Sequence, residues 1–403
     1  MAGTGTPPDT VADALGETMP SDGHSPDLVP LFDVRLEEAD LQAVADALRS
    51  GWLTMGPRTE AFERAFAAQL GARHAVAVSS CTAALHLAYL AAGVGPGDEV
   101  IVPSYTMAAT ASAIVYCGAT PVFADIIGPH DLSIDPVEVE RLLGPRTKAV
   151  AAVHFGGYAA PVDRLAKLCA DRQLALVEDA AHAPSATLSG RKLGTFGLAS
   201  TFSLFSNKVL SVGEGGLLVT DDDAVAALAR SLRSHAMTLT SWEKHNGVQG
   251  VYDVPALGYN YRIDEPRSAL ALSRLERLEQ EIERRRDLTR RYRQEFSAMP
   301  ELLLPFRDED VVTSSCYVMP ILLTDPAKRD AVRLRLRERH GVQTSIFYPA
   351  VHLFTAYRQR YPAVSLPRTE LSASCEITIP LFPHMTAAQQ DRVLDAIAQE
   401  ASR

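Results

Sequence analysis

Between residues 75 and 179, short runs rich in valine and isoleucine alternate with helical stretches at near-regular intervals, and this alternation constrains the fold more than any other feature. The runs fall at 75–78, 99–102, 121–124, 149–153 and 174–179. Helical periodicity between them predicts helices over about 82–92, 108–116, 136–143 and 162–172. A strand that returns beside a parallel neighbour needs a crossover of roughly a dozen residues or more, and a helix fills it. The pattern therefore predicts an α/β protein with a mostly parallel sheet covered on both faces. Two more strands are expected at 199–204 and 216–220, followed by a helix that Asp221, Asp222 and Asp223 cap and that runs to about Ser234.

Outside this block the signals differ. Residues 1–27, rich in Gly, Pro, Thr, Ser and Asp, read as a flexible leader with no basic segment ahead of an apolar core. From Glu37 the apolar positions Leu41, Val44, Ala45 and Leu48 follow a helical period, a turn-rich loop spans 50–57, and a second helix is expected over 58–70. Residues 235–260 lose periodicity over a length that suggests function. One long helix is expected over 264–296, with Leu270, Leu272, Leu275, Leu278 and Ile282 on its apolar side. A strand at 317–323 and helices at 327–339 and 387–398 complete the pattern. The expected division is a leader (1–27), a large domain holding the main sheet (28–260), a linking long helix (261–299) and a small C-terminal α/β domain (300–403).

A formal net charge of −10 argues against a nucleic-acid surface. The most basic stretch, residues 284–293, reads as the solvated face of the long helix. Five cysteines at 81, 117, 169, 316 and 375 form neither a zinc spacing nor an even disulfide set, so no metal site is expected and a reducing compartment is. No apolar run reaches the ~18 residues of a membrane span. The chain is expected to be cytoplasmic.

Chemistry concentrates at two points. Only six of the 39 basic residues are lysines, and Lys208 stands between an apolar strand and the turn Gly213-Glu-Gly-Gly216. A lysine desolvated there loses its proton readily and forms a Schiff base with a carbonyl. Asp179 ends an apolar strand, where a carboxylate can pair with a pyridinium nitrogen. Taken singly, each residue is more often ordinary, a surface lysine or a helix-capping aspartate. Together they are the minimum protein equipment for pyridoxal phosphate, whose ring does the electron-sink chemistry. Ser79-Ser-Cys-Thr-Ala-Ala-Leu85 adds a strand, a small polar turn and a helix start, which suits a phosphate group and also suits simple capping. The glycines at 213, 215 and 216 lack the dinucleotide spacing and precede a strand, so a nicotinamide site is not expected.

Several motifs follow one another in a specific order: Ser50-Gly-Trp-Leu-Thr-Met-Gly-Pro57, Ser80-Cys-Thr-Ala-Ala-Leu85, Pro96-Gly-Asp-Glu-Val-Ile-Val-Pro-Ser104, Gly118-Ala-Thr-Pro-Val122, Glu178-Asp-Ala-Ala-His182, Phe205-Ser-Asn-Lys208, Gly213-Glu-Gly-Gly216 and Leu257-Gly-Tyr-Asn-Tyr-Arg-Ile-Asp264. In this order the chain resembles the pyridoxal-phosphate-dependent sugar aminotransferases of the DegT/StrS type, which have the fold-type-I aminotransferase fold. The resemblance runs from about residue 30 to 386.

By motif position, the resemblance implies that Lys208 holds the cofactor and shuttles the proton, and that Asp179 keeps the ring nitrogen protonated. His182 is implied near the ring's phenolic oxygen. Thr82, Ala83 and Ser203 are implied at the phosphate, and Asn260 is implied to reach the phosphate of a partner subunit in a homodimer with shared active sites. The position that usually stacks on the ring carries Met107, with Tyr105 two residues away. Cys81 stands where glycine is more usual, and a small thiol fits there without being reactive. Tyr348 and His352 are expected to border the substrate, although a structural role suits His352 equally.

The resemblance also implies the reaction. An amino acid, L-glutamate or L-glutamine, gives its amine to the cofactor, which passes it to a nucleotide-linked keto-deoxysugar in the biosynthesis of amino sugars of antibiotics or surface glycans. A cyclitol (inosose) acceptor is the alternative. A dehydratase of the same fold would carry histidine at the lysine position, and Lys208 argues against it. The acidic charge and the Lys208/Asp179 pair argue against a purely regulatory protein.

Overall fold

The computed structural model describes residues 28–402, so the expected leader lies outside the described residues. Seven strands form the main sheet in the order His74–Val78, Gly216–Thr220, Ala199–Ser203, Ala175–Asp179, Thr147–Val153, Glu99–Pro103 and Thr120–Ala124. Gly216–Thr220 pairs antiparallel with both its neighbours, and the other pairings are parallel. The expected α/β class and mostly parallel sheet are both observed.

Strand periodicity explains why both faces are covered. Ala75, Ala77, Ile101, Leu176, Leu217 and Val219 belong to one apolar cluster, while the alternate residues Val76, Val78, Val100, Val102, Val177 and Leu218 belong to a second one on the opposite face. The first cluster also contains Ile282, Tyr317, Ile321 and Ile377, and so continues into a separate antiparallel sheet in the order Leu302–Leu303, Met319–Leu323, Glu376–Ile379.

Two expectations need correction. The long helix is two, Glu265–Leu275 and Leu278–Phe296. At the join the N–H groups of Glu276 and Arg277 reach back three residues instead of four, a tightening that ends the first helix. Arg277 is held at that point by Asp40, which is fully buried, and by Glu281.

The basic stretch 284–293 is not wholly solvated either: Arg285 and Arg293 turn inward. Arg285 Nη1 donates to the carbonyl of Leu381 at 2.9 Å, and Arg293 donates to the carbonyls of Pro305 and Phe306. Guanidinium groups are buried there because they satisfy carbonyls that have no sheet partner. In the first helix, Glu38–Arg49, the inward residues are Asp40 and Ala47, whereas Leu41 and Leu48 are about half exposed.

Irregular backbone prevails across 235–260, interrupted by the short helix Ser241–His245. Among the described residues, no helix is long and apolar enough to cross a membrane.

Candidate active site

In a parallel sheet, the strand carboxyl ends share one edge and the helix N-termini point at it, so ligands bind there. That edge carries a cavity of about 330 Å³. Much of its wall comes from strand ends: Ser80, Cys81 and Thr82 after His74–Val78; Thr106 and Met107 after Glu99–Pro103; Asp179, Ala181 and His182 at the end of Ala175–Asp179; and Ser203, Asn207 and Lys208 after Ala199–Ser203, with Tyr317, Phe347 and Tyr348 added from elsewhere in the chain. Asp179 pairs in register with Val153 on one side and Thr201 on the other, which places its side chain at the middle of the edge.

Asp179 is buried, and its Oδ2 accepts from Thr110 Oγ1 at 2.7 Å while Oδ1 accepts from the Ala181 N–H at 3.2 Å. Burial raises its pKa, and these two donors together with Lys208 and His154 pull it back only in part. A buried carboxylate facing a cavity is stabilised by a cation placed against it. The protonated ring nitrogen of pyridoxal phosphate is such a cation.

Lys208 is half-buried, and its Nζ lies over the Tyr317 ring, 4.3 Å from the centroid. Burial lowers its pKa to about 8, with the nearby Cys81 and Asp179 opposing the shift. The amine is therefore neutral far more often at physiological pH than an exposed lysine.

Across the cavity, the helix Cys81–Ala91 opens with Ser80 as its cap. The amides of Cys81 and Thr82 lie in the first turn, where a helix leaves N–H groups unpaired and favours an anion. Gly216 allows this arrangement, since a Cβ there would sit 2.5 Å from the Cys81 nitrogen. Ser203 lines the cavity as expected. Ala83 does not line it, and its N–H is already given to Ser80 Oγ at 3.1 Å. Of this first turn, Cys81 and Thr82 line the cavity. The residues present fit pyridoxal phosphate at three points: an amine for the carbonyl, a carboxylate for the ring nitrogen and a helix start for the phosphate.

His182 lines the cavity but is engaged on both sides. Its Nδ1 accepts from the Gly156 N–H at 3.2 Å, and its Nε2 lies 3.0 Å from the Tyr348 hydroxyl. Burial first, then the Lys208 charge, holds its pKa well below the usual imidazole range, so the ring is neutral. With Nδ1 accepting, the proton resides on Nε2 and is donated to the Tyr348 oxygen, which leaves the tyrosine hydrogen free to point elsewhere. Met107 lines the cavity and is exposed, whereas Tyr105 is buried with its hydroxyl given to the Phe347 carbonyl.

Two expected residues are not brought to this cavity. His352 is buried between Ser104 Oγ, at 2.7 Å from Nδ1, and Glu370 Oε1, at 3.1 Å from Nε2, where it ties two segments together and does not line the cavity. Asn260 is exposed, bridged to Ser234, and does not line the cavity of its own chain.

Two residues with site contacts escaped the sequence reading. Thr110 orients Asp179 and is itself paired with Thr106 across one helical turn. The only trace of this in the sequence was two threonines four apart after a strand. Tyr317 carries the lysine on its ring and donates to Asn207 Oδ1 at 2.9 Å, long-range contacts, the second across 110 residues of sequence, that no local pattern signals.

A lysine, an aspartate and a phosphate-type helix start on one sheet edge are the cofactor-site equipment of a fold-type-I pyridoxal-phosphate enzyme. Residues 34–398 match the model of the DegT/DnrJ/EryC1/StrS aminotransferase family, and the chain belongs to that family and shares its pyridoxal-phosphate-dependent aminotransferase activity. It is 38% identical over 366 residues to the spore coat polysaccharide biosynthesis protein SpsC of Bacillus subtilis (strain 168), covering 89% of this chain and 93% of that protein. The solved aminotransferase TlmJ from Streptoalloteichus hindustanus superposes with a TM-score of 0.86 at 35% identity, over 93% of this chain and 99% of TlmJ. DesI, solved in the presence of its TDP-sugar product, gives a TM-score of 0.83 at 34% identity over 94% of this chain and 93% of DesI.

Proposed function

We propose that this aminotransferase transfers an amino group from L-glutamate or L-glutamine to a nucleotide-linked keto-deoxysugar. The observation that carries the reading is the convergence of Lys208, Asp179 and the helix start at Ser80–Thr82 on one cavity. The likeness to SpsC, a polysaccharide biosynthesis protein, and to DesI, solved with its TDP-sugar product, supports a sugar nucleotide over a cyclitol as acceptor.

Pyridoxal phosphate, when bound, supplies the carbonyl that takes up the amino group and the ring that stabilises charge at the reacting carbon. The chain's own residues do the rest. Lys208, with its lowered pKa, removes and returns a proton as general base and acid near neutral pH. Asp179, fixed by Thr110, stays ionised against the ring nitrogen and keeps it charged. The Cys81 and Thr82 amides and Ser203 hold the phosphate. Neutral His182 fixes Tyr348, whose hydroxyl can then address the acceptor's oxygen.

We also infer a homodimer with shared sites. Asn260 is exposed and unused by its own cavity, and Leu41 and Leu48 present an uncovered apolar face of a kind that a second copy can bury.

The deciding experiment is a mass-spectrometric screen of keto-sugar nucleotides and inososes against the purified enzyme charged with L-glutamate. Amination of a TDP- or UDP-linked ketosugar is expected. Amination of an inosose alone would assign the cyclitol reaction instead.

A further inference from the structure

Glu376 is a fully buried carboxyl group that the reaction proposed above leaves unused. It opens the strand Glu376–Ile379 and lies opposite Leu322 of Met319–Leu323. The two guanidinium groups whose charge it feels stand on the helix Arg329–His340, where Arg329 donates to the Ala373 carbonyl and Arg333 to the Thr344 carbonyl. Burial pushes its pKa up to about 8, against the Thr378 and Phe347 donors and these two charges. About 90% of it is then protonated at pH 7. The other titratable groups that feel its charge are the Tyr105 and Tyr348 hydroxyls, which it holds further from ionisation.

What this carboxyl group holds is backbone. Its Oε2 accepts from the Phe347 N–H at 2.7 Å, while Oε1 pairs with Thr378 Oγ1. The carbonyl of the same Phe347 accepts from the Tyr105 hydroxyl at 2.9 Å, and Tyr105 is buried two residues beyond the main-sheet strand Glu99–Pro103. Ser345, two residues earlier, exchanges both its backbone bonds with Thr378. The segment is thus pinned from the three-stranded sheet on one side and from the main sheet on the other. Tyr348, next in the chain, lines the active-site cavity with its hydroxyl 3.0 Å from His182 Nε2. Misplacing a group at a reacting centre by about 1 Å costs on the order of 100-fold in rate, so a rigid seat for Tyr348 has a catalytic consequence.

We propose that Glu376 and Tyr105 are positioning residues: by holding the N–H and the C=O of Phe347, they set the Tyr348 hydroxyl against His182 and toward the acceptor. The inference rests on the transaminase reading above and on the part Tyr348 plays in it. Neither Glu376 nor Tyr105 lines the cavity, so both act through Tyr348. A neutral carboxyl group suits the task, because it keeps one oxygen to accept from the Phe347 amide and a hydroxyl for Thr378. It does so without placing a negative charge beside two tyrosines.

The test uses three variants. Glu376→Met is similar in length and has no oxygen to accept with, Glu376→Gln accepts from Phe347 and donates to Thr378 as the neutral acid does, and Tyr105→Phe deletes only a hydroxyl. The ring N–H of His182, assigned by its absence from His182→Asn protein, is followed by nuclear magnetic resonance in cofactor-free protein and in holoenzyme. Its exchange with solvent should quicken about tenfold or more in Glu376→Met and Tyr105→Phe, and keep the wild-type rate in Glu376→Gln. Enzyme loaded with pyridoxamine phosphate and mixed with 2-oxoglutarate should regain its yellow band about tenfold more slowly in the same two variants. Adding Tyr348→Phe to either should slow the reaction no further than Tyr348→Phe does alone, because residues that act through one group are not additive. Additive losses would overturn the proposal, and so would wild-type exchange of the His182 N–H in folded Glu376→Met and Tyr105→Phe, even if both melt at lower temperature. If Glu376→Met does not fold, Tyr105→Phe carries the same readouts. A wild-type holoenzyme that exchanges amino groups with no keto acid would refute the transaminase reading itself, while the His182 N–H would still report whether the two residues seat Tyr348.

Discussion

Cofactor capture by Lys208 should depend on pH in a way its burial dictates. An ordinary lysine amine has a pKa of 10.5, and here burial lowers it to about 8. At pH 7 the neutral, nucleophilic fraction is then about 9%, against ~0.03% for the ordinary amine, a gain of about 300-fold. Between pH 6.5 and 8.5 that fraction climbs from about 3% to about 75%, and above pH 9 it is nearly flat. Cofactor-free protein mixed with pyridoxal phosphate in a stopped-flow instrument should therefore develop its yellow band at a rate that rises with pH, bends near 8 and levels off. The sign follows from the direction of the shift: a lowered lysine pKa supplies the reactive neutral form above about 8 and withdraws it tenfold per pH unit below. The Asp179→Asn variant sharpens the test. The Asp179 charge raises the lysine pKa, so its removal should move the bend to lower pH. A capture rate that climbs with unit slope to pH 10 without bending would refute the desolvated-amine argument, and so would a bend that moves upward in Asp179→Asn.

Other consequences can be measured directly. Asp179→Asn should stay folded by circular dichroism yet lose roughly 100-fold or more in turnover, because a neutral amide cannot keep the ring nitrogen charged; near-normal turnover would remove Asp179 from the mechanism. Thr110→Val keeps the shape of the side chain but deletes a hydrogen bond to a charged group worth about 1.5–3 kcal/mol, so cofactor affinity in equilibrium dialysis should weaken by about tenfold or more. Borohydride treatment of the holoenzyme should label one peptide, the one containing Lys208, and a label elsewhere would overturn that assignment. Mixing inactive Lys208→Ala with inactive Asn260→Asp should restore activity after subunit exchange, since one site of the mixed dimer then carries neither lesion; a mixture that stays inactive speaks against shared sites.

The sequence by itself determined the layer architecture, because strand and helix periods are local properties read over a few residues. It singled out Lys208, between a strand and a glycine-rich turn, and Asp179, at a strand end, and the cavity holds both. It also carried the family, through motifs whose order survives without any knowledge of their contacts. Local pattern could not say which side of a surface helix faces inward. The leucines of Glu38–Arg49 were the natural inward face, yet buried Asp40 wins through its pairing with Arg277, 237 residues away. The same pairing accompanies the break in what reads locally as one helix. Only the tertiary structure placed Thr110 on Asp179, Tyr317 under Lys208, and His352 away from the cavity between Ser104 and Glu370. Only it turned Arg285 out of a basic run into the protein. Such contacts join residues far apart in the chain, and which of them form depends on how whole layers pack, a choice that burial and charge pairing make together after the local elements exist.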